Sequence, residues 1–209
     1  VVILAAAGCA GYYFYQRQQP DNTVKAFLDD VKAMDFEGMA ELLQNGDITV
    51  LDEADITNAA YTAFFTSVNQ KMDYDIAGTD FDILNGTANI TAHIRYIDGS
   101  DIYRDTITEF LKQIVSTAFS GETLTEDQTQ QQLASLLEQT AGTVEEKYAE
   151  VDITYPLVKA GDEWKIISID ENTAKMMSAN FTNVQDEIND SLVEMENAGN
   201  SEAEEAPQA

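Results

Sequence analysis

The hydrophobic pattern divides the chain at its beginning, where an apolar run changes abruptly to an acidic, polar sequence. Residues Val1 to Tyr15 include no charged side chain and end in the aromatic cluster Tyr12 to Tyr15. A transmembrane helix needs about 20 apolar residues, and aromatic residues with a polar edge are enriched where lipid meets water. Since no methionine opens the sequence, we expect the apolar run to begin further upstream. The pattern predicts a membrane anchor over residues 1–17.

Three kinds of anchor fit this segment. The first is a single spanning helix. The second is a lipid anchor, because Ala6-Ala7-Gly8-Cys9 resembles the bacterial lipobox, in which the cysteine receives the lipid. The third is a signal peptide cleaved within residues 5–10, where small residues cluster. The spanning helix is favoured because aromatic residues, rather than a flexible Ser/Gly tether, follow Cys9, which remains the candidate lipidation site.

Apolar residues at intervals of three and four predict helices in the segment after the anchor. Helices are expected over residues 22–34, 36–43 and 57–68. Asp21 or Asn22 is the expected N-cap of the first helix, and Asn45-Gly46 ends the second. The apolar stripes consist of Val24, Phe27, Leu28, Val31 and Met34 in the first helix and Ala60, Tyr61, Phe64, Phe65 and Val68 in the third.

From Met72 onward the period changes to two, which predicts half-buried antiparallel strands. Asn85-Gly86 is a strong hairpin signal between two of them. Further strands are expected over residues 151–157 and 164–169, and Pro156 indicates a sheet edge or a strand end. After the hairpin, apolar and polar residues alternate along the chain. The apolar ones are Ala88, Ile90, Ala92, Ile94 and Tyr96, and the polar ones are Asn89, Thr91, His93 and Arg95.

A helical hairpin is predicted as an insertion over residues 101–142, between the second and third strands. Thr125 and Gln128 have the spacing of a capping box at the start of its second helix. Beyond the last strand, residues 174–195 predict one long amphipathic helix with nearly heptad spacing, which a dimer could use. Residues 196–209 lack periodicity and predict a disordered acidic tail. The expected fold is one α+β domain over residues 18–195, in which helices cover a curved antiparallel sheet.

Two segments resemble the nuclear transport factor two-like superfamily, whose members have a cone-shaped α+β fold. Residues 23–28 with 32–36 and Leu42-Leu43 resemble the opening of small extracytoplasmic members from Gram-positive bacteria. Residues 159–166, Lys-Ala-Gly-Asp-Glu-Trp-Lys-Ile, resemble their closing hairpin. The same scaffold occurs in the membrane-proximal domain of some penicillin-binding proteins. The resemblance covers residues 21 to about 172 and implies a cone-like domain at a cell envelope.

The charge of the chain restricts its partners. Its 38 acidic and 11 basic residues give a formal net charge of −27. Such a chain is repelled by nucleic acid and by anionic lipid, so no nucleic-acid partner is expected. The excess of Lys and Arg that retains loops in the cytoplasm is absent, which places the domain on the extracytoplasmic face of the cell membrane. Cys9 is the only cysteine, so no intrachain disulfide or thiolate metal cluster can form.

Few residues indicate a chemistry. His93 is the only histidine, so no histidine pair can hold a metal, and its position on the polar face of a strand indicates an ordinary exposed side chain. Enzymes of the resembled superfamily place an Asp or His base and a Tyr donor inside the cone. The resemblance therefore implies a pocket, but no catalytic residue, metal or cofactor is assigned. The possible pocket residues are Tyr61, Tyr74, His93, Tyr96, Tyr155 and Trp164.

These observations favour a membrane-anchored, extracytoplasmic, non-catalytic binding or accessory domain of a Gram-positive cell envelope. Its partner, a protein or a small ligand, is unknown. One alternative is a cofactor-independent isomerase or dehydratase with a pocket acid or histidine as base, and another is a structural spacer. A cavity of roughly 300 Å³ lined by an acid and a tyrosine would favour the enzyme. An interior filled by Phe27, Phe64, Phe65, Phe110 and Trp164 would favour a binding domain.

Overall fold

The computed structural model describes residues 2–120 and 124–191, with side chains from residue 11 onward except those of 118 and 120. The chain forms an α+β fold in which helices pack around a four-stranded antiparallel sheet that does not close, with strand order β1-β2-β3-β4. The predicted fold class is confirmed. The strands are β1 Asp73–Asp82, β2 Thr87–Asp98, β3 Lys147–Ala160 and β4 Glu163–Ile166. The helices are α1 Val2–Ala33, α2 Phe36–Leu42, α3 Thr49–Glu53, α4 Thr62–Asn69, α5 Ser100–Ser120, α6 Glu126–Ala141, α7 Glu171–Met177 and α8 over residues 181–191.

Helix α1 runs without interruption from the apolar N-terminal segment into the domain. It passes through Pro20, which is buried. Proline fixes φ near the helical value but removes one main-chain hydrogen bond, and the helical assignment nevertheless continues on both sides of Pro20. The predicted helix start at Asp21 or Asn22 is therefore wrong, and the expected boundary between residues 17 and 18 falls inside a helix. Within the part of the chain that is described, no helix combines the length and the apolarity needed to cross a membrane.

The sheet begins with the predicted hairpin. Phe81 pairs with Ala88 across the turn, and Gly86 has the positive φ of 63° that the turn requires. Strand β3 pairs with β2 along its length, whereas β4 pairs with β3 only from Leu157 to Ala160. Pro156 lies inside β3 opposite Asn89, and not at a strand end as predicted. Its carbonyl accepts a 2.8 Å bond from the Ile167 N–H just beyond β4, and the pairing ends there because proline has no N–H to give the return bond. The last strand ends at Ile166, earlier than the pattern predicts.

A single hydrophobic core fills the space between the helices and the inner face of the sheet. Every second residue of β2 from Ala88 to Tyr96 is buried, because a period of two places these side chains on one face. The most deeply buried large side chains come from both helices and strands. They are Phe27, Leu28, Met39, Leu51, Ile56, Met72, Ile90, Ile94, Tyr155, Leu157, Ile166 and Met176.

The helical insertion is present, with α5 and α6 packed against each other. The predicted capping box is formed, since the Thr125 side chain accepts a bond from the Gln128 backbone and Gln128 bonds back to Thr125. The far part of α5 leaves Leu111, Val115 and Phe119 exposed. The apolar stripe predicted for this helix is thus only partly covered.

The predicted C-terminal helix is interrupted, because Ala179 and Asn180 adopt positive φ values of 52° and 66° between α7 and α8. This break turns the chain so that both segments place apolar side chains in the core. Met176, Met177 and Phe181 are all buried. The predicted acidic tail 196–209 and the last residues of the predicted helix, including Leu192 and Met195, lie outside the described residues.

Candidate functional site

The inner face of the sheet, where the sequence predicts a pocket, is occupied by closely packed side chains. Tyr155 is fully buried with its ring 5.5 Å from that of Phe27, and its hydroxyl accepts a 3.5 Å bond from Thr173. Burial raises the pKa of Tyr155, so the phenol remains neutral. The Trp164 ring packs 5.7 Å from Phe81. Among the described residues, the buried polar side chains are amide or hydroxyl groups, so this interior provides no carboxylate base.

Tyr74 and Tyr96 hold secondary-structure elements together. The Tyr74 hydroxyl donates to Asp29 at 2.8 Å and thereby ties β1 to α1. Burial, together with the neighbouring Asp29 carboxylate, raises the pKa of Tyr74. The Tyr96 hydroxyl donates to the side-chain oxygen of Asn180 at 2.9 Å, at the break between α7 and α8. Both phenols therefore have structural partners.

Tyr61 lines a separate pocket of about 70 Å³ between α6 and the start of α4. Asp55 and Gln185 belong to its lining, and the Tyr103 hydroxyl bonds to Gln185. Burial, and secondly the Asp55 charge, raises the pKa of Tyr61. This volume suits a few water molecules and falls well below the roughly 300 Å³ of ligand pockets. The full lining is Ala54, Asp55, Tyr61, Phe65, Tyr103, Leu133, Leu137, Phe181 and Gln185.

Larger depressions lie at the surface of the domain, away from the six predicted pocket residues except Trp164. One of them, of about 380 Å³, lies between α3 and the segment that follows β4. It carries Asp47, whose carboxylate accepts bonds from the Thr49 backbone and hydroxyl, which lower its pKa. A carboxylate held ionised in this way is a poor proton acceptor at neutral pH. The lining comprises Asn45, Asp47, Thr49, Val50, Glu53, Ile167, Ser168 and Ile169.

His93 lies on the opposite, outer face of the sheet. Its Nδ1 is 2.7 Å from an Asp152 carboxylate oxygen, and its Nε2 is 3.7 Å from Glu150. The hydrogen bond with Asp152, followed by the charges of Asp152, Glu150 and Asp75, raises the pKa of His93. The ring is nearly half exposed. The pleat of β2 directs His93 away from the core, so it does not share a pocket with the tyrosines and is instead the exposed side chain that its place on the polar face of the strand predicts.

The strand register arranges the outer face in rows of side chains across three strands. Asp75 pairs with His93, which pairs with Asp152, and the next row contains Asp73, Arg95 and Glu150. The Thr91 and Thr154 hydroxyls are 2.8 Å apart in a third row, and Arg95 lies 3.5 Å above the Tyr148 ring. We call this surface the outer sheet face. Its acidic side chains are Asp73, Asp75, Asp80, Asp82, Glu150 and Asp152, and all of them are exposed.

The outer sheet face has the electrostatic character of a site for a cationic partner. Its acids outnumber Arg95 and His93, and directly opposite residues on neighbouring strands share this face. A surface of one sign attracts basic groups and repels phosphate. Sequence patterning identified the polar face of β2 but not the acids that β1 and β3 add, because the register between strands is needed to bring them together.

The described residues include no group of three or more His, Cys, Asp or Glu side chains placed to hold a metal ion. Cys9, the candidate lipidation site, lies in α1, and its side chain is outside the described ones. The aromatic residues that follow it, Tyr12 to Tyr15, are exposed on α1. The membrane anchor thus stays a prediction from the sequence.

The two segments that resemble the nuclear transport factor two-like superfamily pack together in the fold. Val24 and Phe27 of α1 are buried, and the Thr23 hydroxyl lies 3.5 Å from the Trp164 carbonyl on β4. Comparisons of the chain with protein-family models, with curated proteins and with solved structures give no match. The superfamily therefore remains a prediction that rests on these motifs.

Proposed function

We propose that the chain is a membrane-anchored, extracytoplasmic, non-catalytic binding domain of a bacterial cell envelope. In this proposal the outer sheet face contacts a protein partner that presents basic residues. The observation that carries the proposal is the contrast between the two faces of one sheet. The inner face is sealed by a packed core, whereas the outer face presents Thr91, His93 and their charged neighbours to solvent.

Electrostatics supports a protein partner of opposite charge. Individual exposed ion pairs contribute little affinity, but a face of one sign accelerates encounter and excludes partners of the same sign. Attachment to a membrane raises the local concentration of the domain near other membrane proteins. A face with modest intrinsic affinity is then sufficient for binding.

The course of α1 supports a direct attachment to the membrane. The helix connects the apolar N-terminal segment to the core without a flexible linker. The domain would consequently be held close to the bilayer in a restricted orientation. The resemblance to extracytoplasmic Gram-positive proteins supports the same location.

The enzyme alternative would depend on the pocket at Tyr61. Asp55 and Tyr103 are the acid and second phenol that share this pocket, but its volume of about 70 Å³ is small for an organic substrate. The spacer alternative requires no contact at the outer sheet face. Both alternatives therefore predict that changes on that face leave function unaffected.

Site-specific photo-crosslinking of the full chain in its native membrane tests the proposal. A photoreactive residue is placed at Thr91, at the centre of the outer sheet face, and at Asn172, an exposed control position on α7. We expect a discrete protein adduct at Thr91, reduced by high salt, and none at Asn172. The paired change Asp75→Asn with Asp152→Asn should lower the yield at Thr91, because it removes charge with little change in shape.

Equal labelling at both positions, or an adduct at Thr91 that is unaffected by the two Asp→Asn changes, would contradict a charge-guided binding face. Fractionation of the same cells reports the anchor independently. The unmodified chain should remain with the membrane after a high-salt wash, whereas release would contradict the anchored part of the proposal.

A further inference from the structure

The turn of the β1–β2 hairpin exposes two large apolar side chains. Leu84 is 93% exposed and Ile83 41% exposed. The Asp82 carboxylate accepts bonds of 3.0 Å from the backbone N–H groups of Leu84 and Asn85, and a further bond from the Asn85 side chain. These bonds lower the pKa of Asp82 and fix the turn. Leu84 is therefore held in solvent by an ordered turn rather than by a loose loop.

The contacts of β1 show which way this hairpin points. Tyr74 bonds to Asp29 of α1, whereas Thr79, further along β1, bonds to Asp21 at 2.8 Å. Near the end of the strand, the Phe81 ring lies 5.7 Å from that of Tyr13. Residues further along β1 thus contact residues of α1 that lie progressively closer to the N-terminus of the helix. The hairpin extends along α1 in the direction of the apolar N-terminal segment.

The hairpin turn consequently lies near the level of the aromatic cluster on α1. Leu84 follows Phe81 by three residues, and a strand advances about 3.3 Å per residue, so the turn is within roughly 10 Å of the Tyr13 level along the strand. Tyr12, Phe14 and Tyr15 are each more than half exposed. Aromatic side chains of this kind lie at the interface between lipid and water.

The polar surroundings of the turn are compatible with lipid head groups. The Lys159 backbone N–H donates to the Gly86 carbonyl at 2.8 Å, and the Lys159 ammonium lies 3.5 Å from the Gln16 side chain. Arg17, the residue after Gln16 in α1, is exposed. Long basic side chains beside an apolar insertion can reach the phosphate groups of the bilayer. Asp82, the acid at the start of the turn, is already engaged with the turn.

We propose that the β1–β2 turn is a second membrane contact, in which Leu84 and Ile83 enter the interfacial layer of the bilayer that holds α1. This inference rests on the proposed membrane anchor. A single helix leaves rotation about its axis free, whereas a second contact fixes that rotation. The outer sheet face is then held in one direction relative to the bilayer.

Tryptophan fluorescence of the full chain reconstituted in phosphatidylcholine vesicles tests this contact. The variant Leu84→Trp is compared with Thr143→Trp, whose exposed turn lies at the opposite end of the sheet. Trp164, the single native tryptophan, is buried and contributes the same background to both. In vesicles with bromine-labelled acyl chains, we expect the bromine to quench most of the fluorescence that the introduced tryptophan adds in Leu84→Trp. Thr143→Trp should keep its emission.

A second pair of variants tests the contribution of Leu84 itself. Ile83→Trp should also be quenched, and the additional change Leu84→Asp should weaken that quenching, because a carboxylate opposes insertion. Each variant alters an exposed position and leaves the core intact. Vesicle flotation of every sample shows whether α1 holds the chain to the bilayer.

The outcomes separate the two proposals. Flotation without quenching of Leu84→Trp would overturn the hairpin contact and leave the anchor standing. A blue-shifted Leu84→Trp emission that brominated lipid does not quench would instead indicate that a second copy of the chain covers the turn. Failure of the unmodified chain to float would overturn both the anchor and the inference that rests on it.

Discussion

The pair formed by His93 and Asp152 is the best-defined titratable contact on the outer sheet face. The hydrogen bond and the surrounding carboxylates raise the folded-state pKa of His93 above its unfolded value. Protonated histidine is consequently favoured in the folded chain. Its stabilising effect is fully present below the unfolded pKa and disappears as pH rises through the folded pKa.

Replacement of His93 by glutamine should therefore reduce stability in mildly acidic solution only. We expect the difference from the unmodified chain to be largest below about pH 6.5, the ordinary histidine pKa, and to vanish in alkaline solution. Urea unfolding at several pH values measures it. In an Asp152→Asn background, the same His93→Gln change should show a much weaker dependence on pH. A difference that persists at alkaline pH would contradict this electrostatic origin.

Tyr155, which the sequence places in a possible pocket, is part of the hydrophobic core in the fold. Tyr155→Phe removes a hydroxyl with a single long bond to Thr173, so we expect a loss of about 1 kcal/mol. Tyr155→Ala leaves a cavity in the packed interior and should cost about 3–5 kcal/mol. Urea unfolding of the full chain compares the two. A stable, ligand-accessible Tyr155→Ala variant with little loss would argue against a sealed interior.

At the scale of elements, the joint between α7 and α8 determines how the C-terminal segment meets the sheet. Asn180 has a φ of 66°, donates to Asp98 at 3.1 Å and accepts a bond from Tyr96. The Gly99 N–H donates to the Ala179 carbonyl at 2.9 Å. A Cβ at Gly99 would lie 2.7 Å from the Phe181 ring. Close packing and left-handed backbone thus coincide at this joint.

Two substitutions of Asn180 separate the side-chain bonds from the backbone conformation. Asn180→Gly keeps the left-handed conformation accessible but removes both side-chain bonds, at an expected cost of about 1–3 kcal/mol. Asn180→Ala should cost roughly 1–2 kcal/mol more, because alanine is strained at positive φ. Unfolding free energies of both variants measure this difference. Equal losses of unfolding free energy in the two variants would show that the left-handed conformation of residue 180 has no effect on stability.

At the scale of the whole molecule, charge is the dominant feature. A formal charge of −27 on the full chain creates self-repulsion that counterions screen. We expect the melting temperature to rise as sodium chloride is added at neutral pH. Neutralising Asp73, Asp75, Asp80 and Asp152 to asparagine should reduce that rise, because these acids share the outer sheet face. A melting temperature independent of salt in both proteins would contradict this account.

The sequence by itself determined the features that depend on neighbouring residues. Apolar spacing located α2, α4 and the strands, Asn85-Gly86 located the hairpin, and Thr125 with Gln128 located the start of α6. Alternation along β2 also placed His93 on the polar face. These features follow from short-range backbone preferences and from the periods of helix and strand, which a linear pattern contains.

Only the tertiary structure decided which distant residues share a surface. The sequence grouped six residues in one pocket, whereas the fold sends Tyr155 to the core, His93 to the outer sheet face and Tyr61 to a small pocket with Asp55. It also carries α1 through Pro20 and brings Leu84 toward the level of Tyr13. Such groupings depend on strand register and on the packing of elements far apart in the chain, and no local preference contains that information.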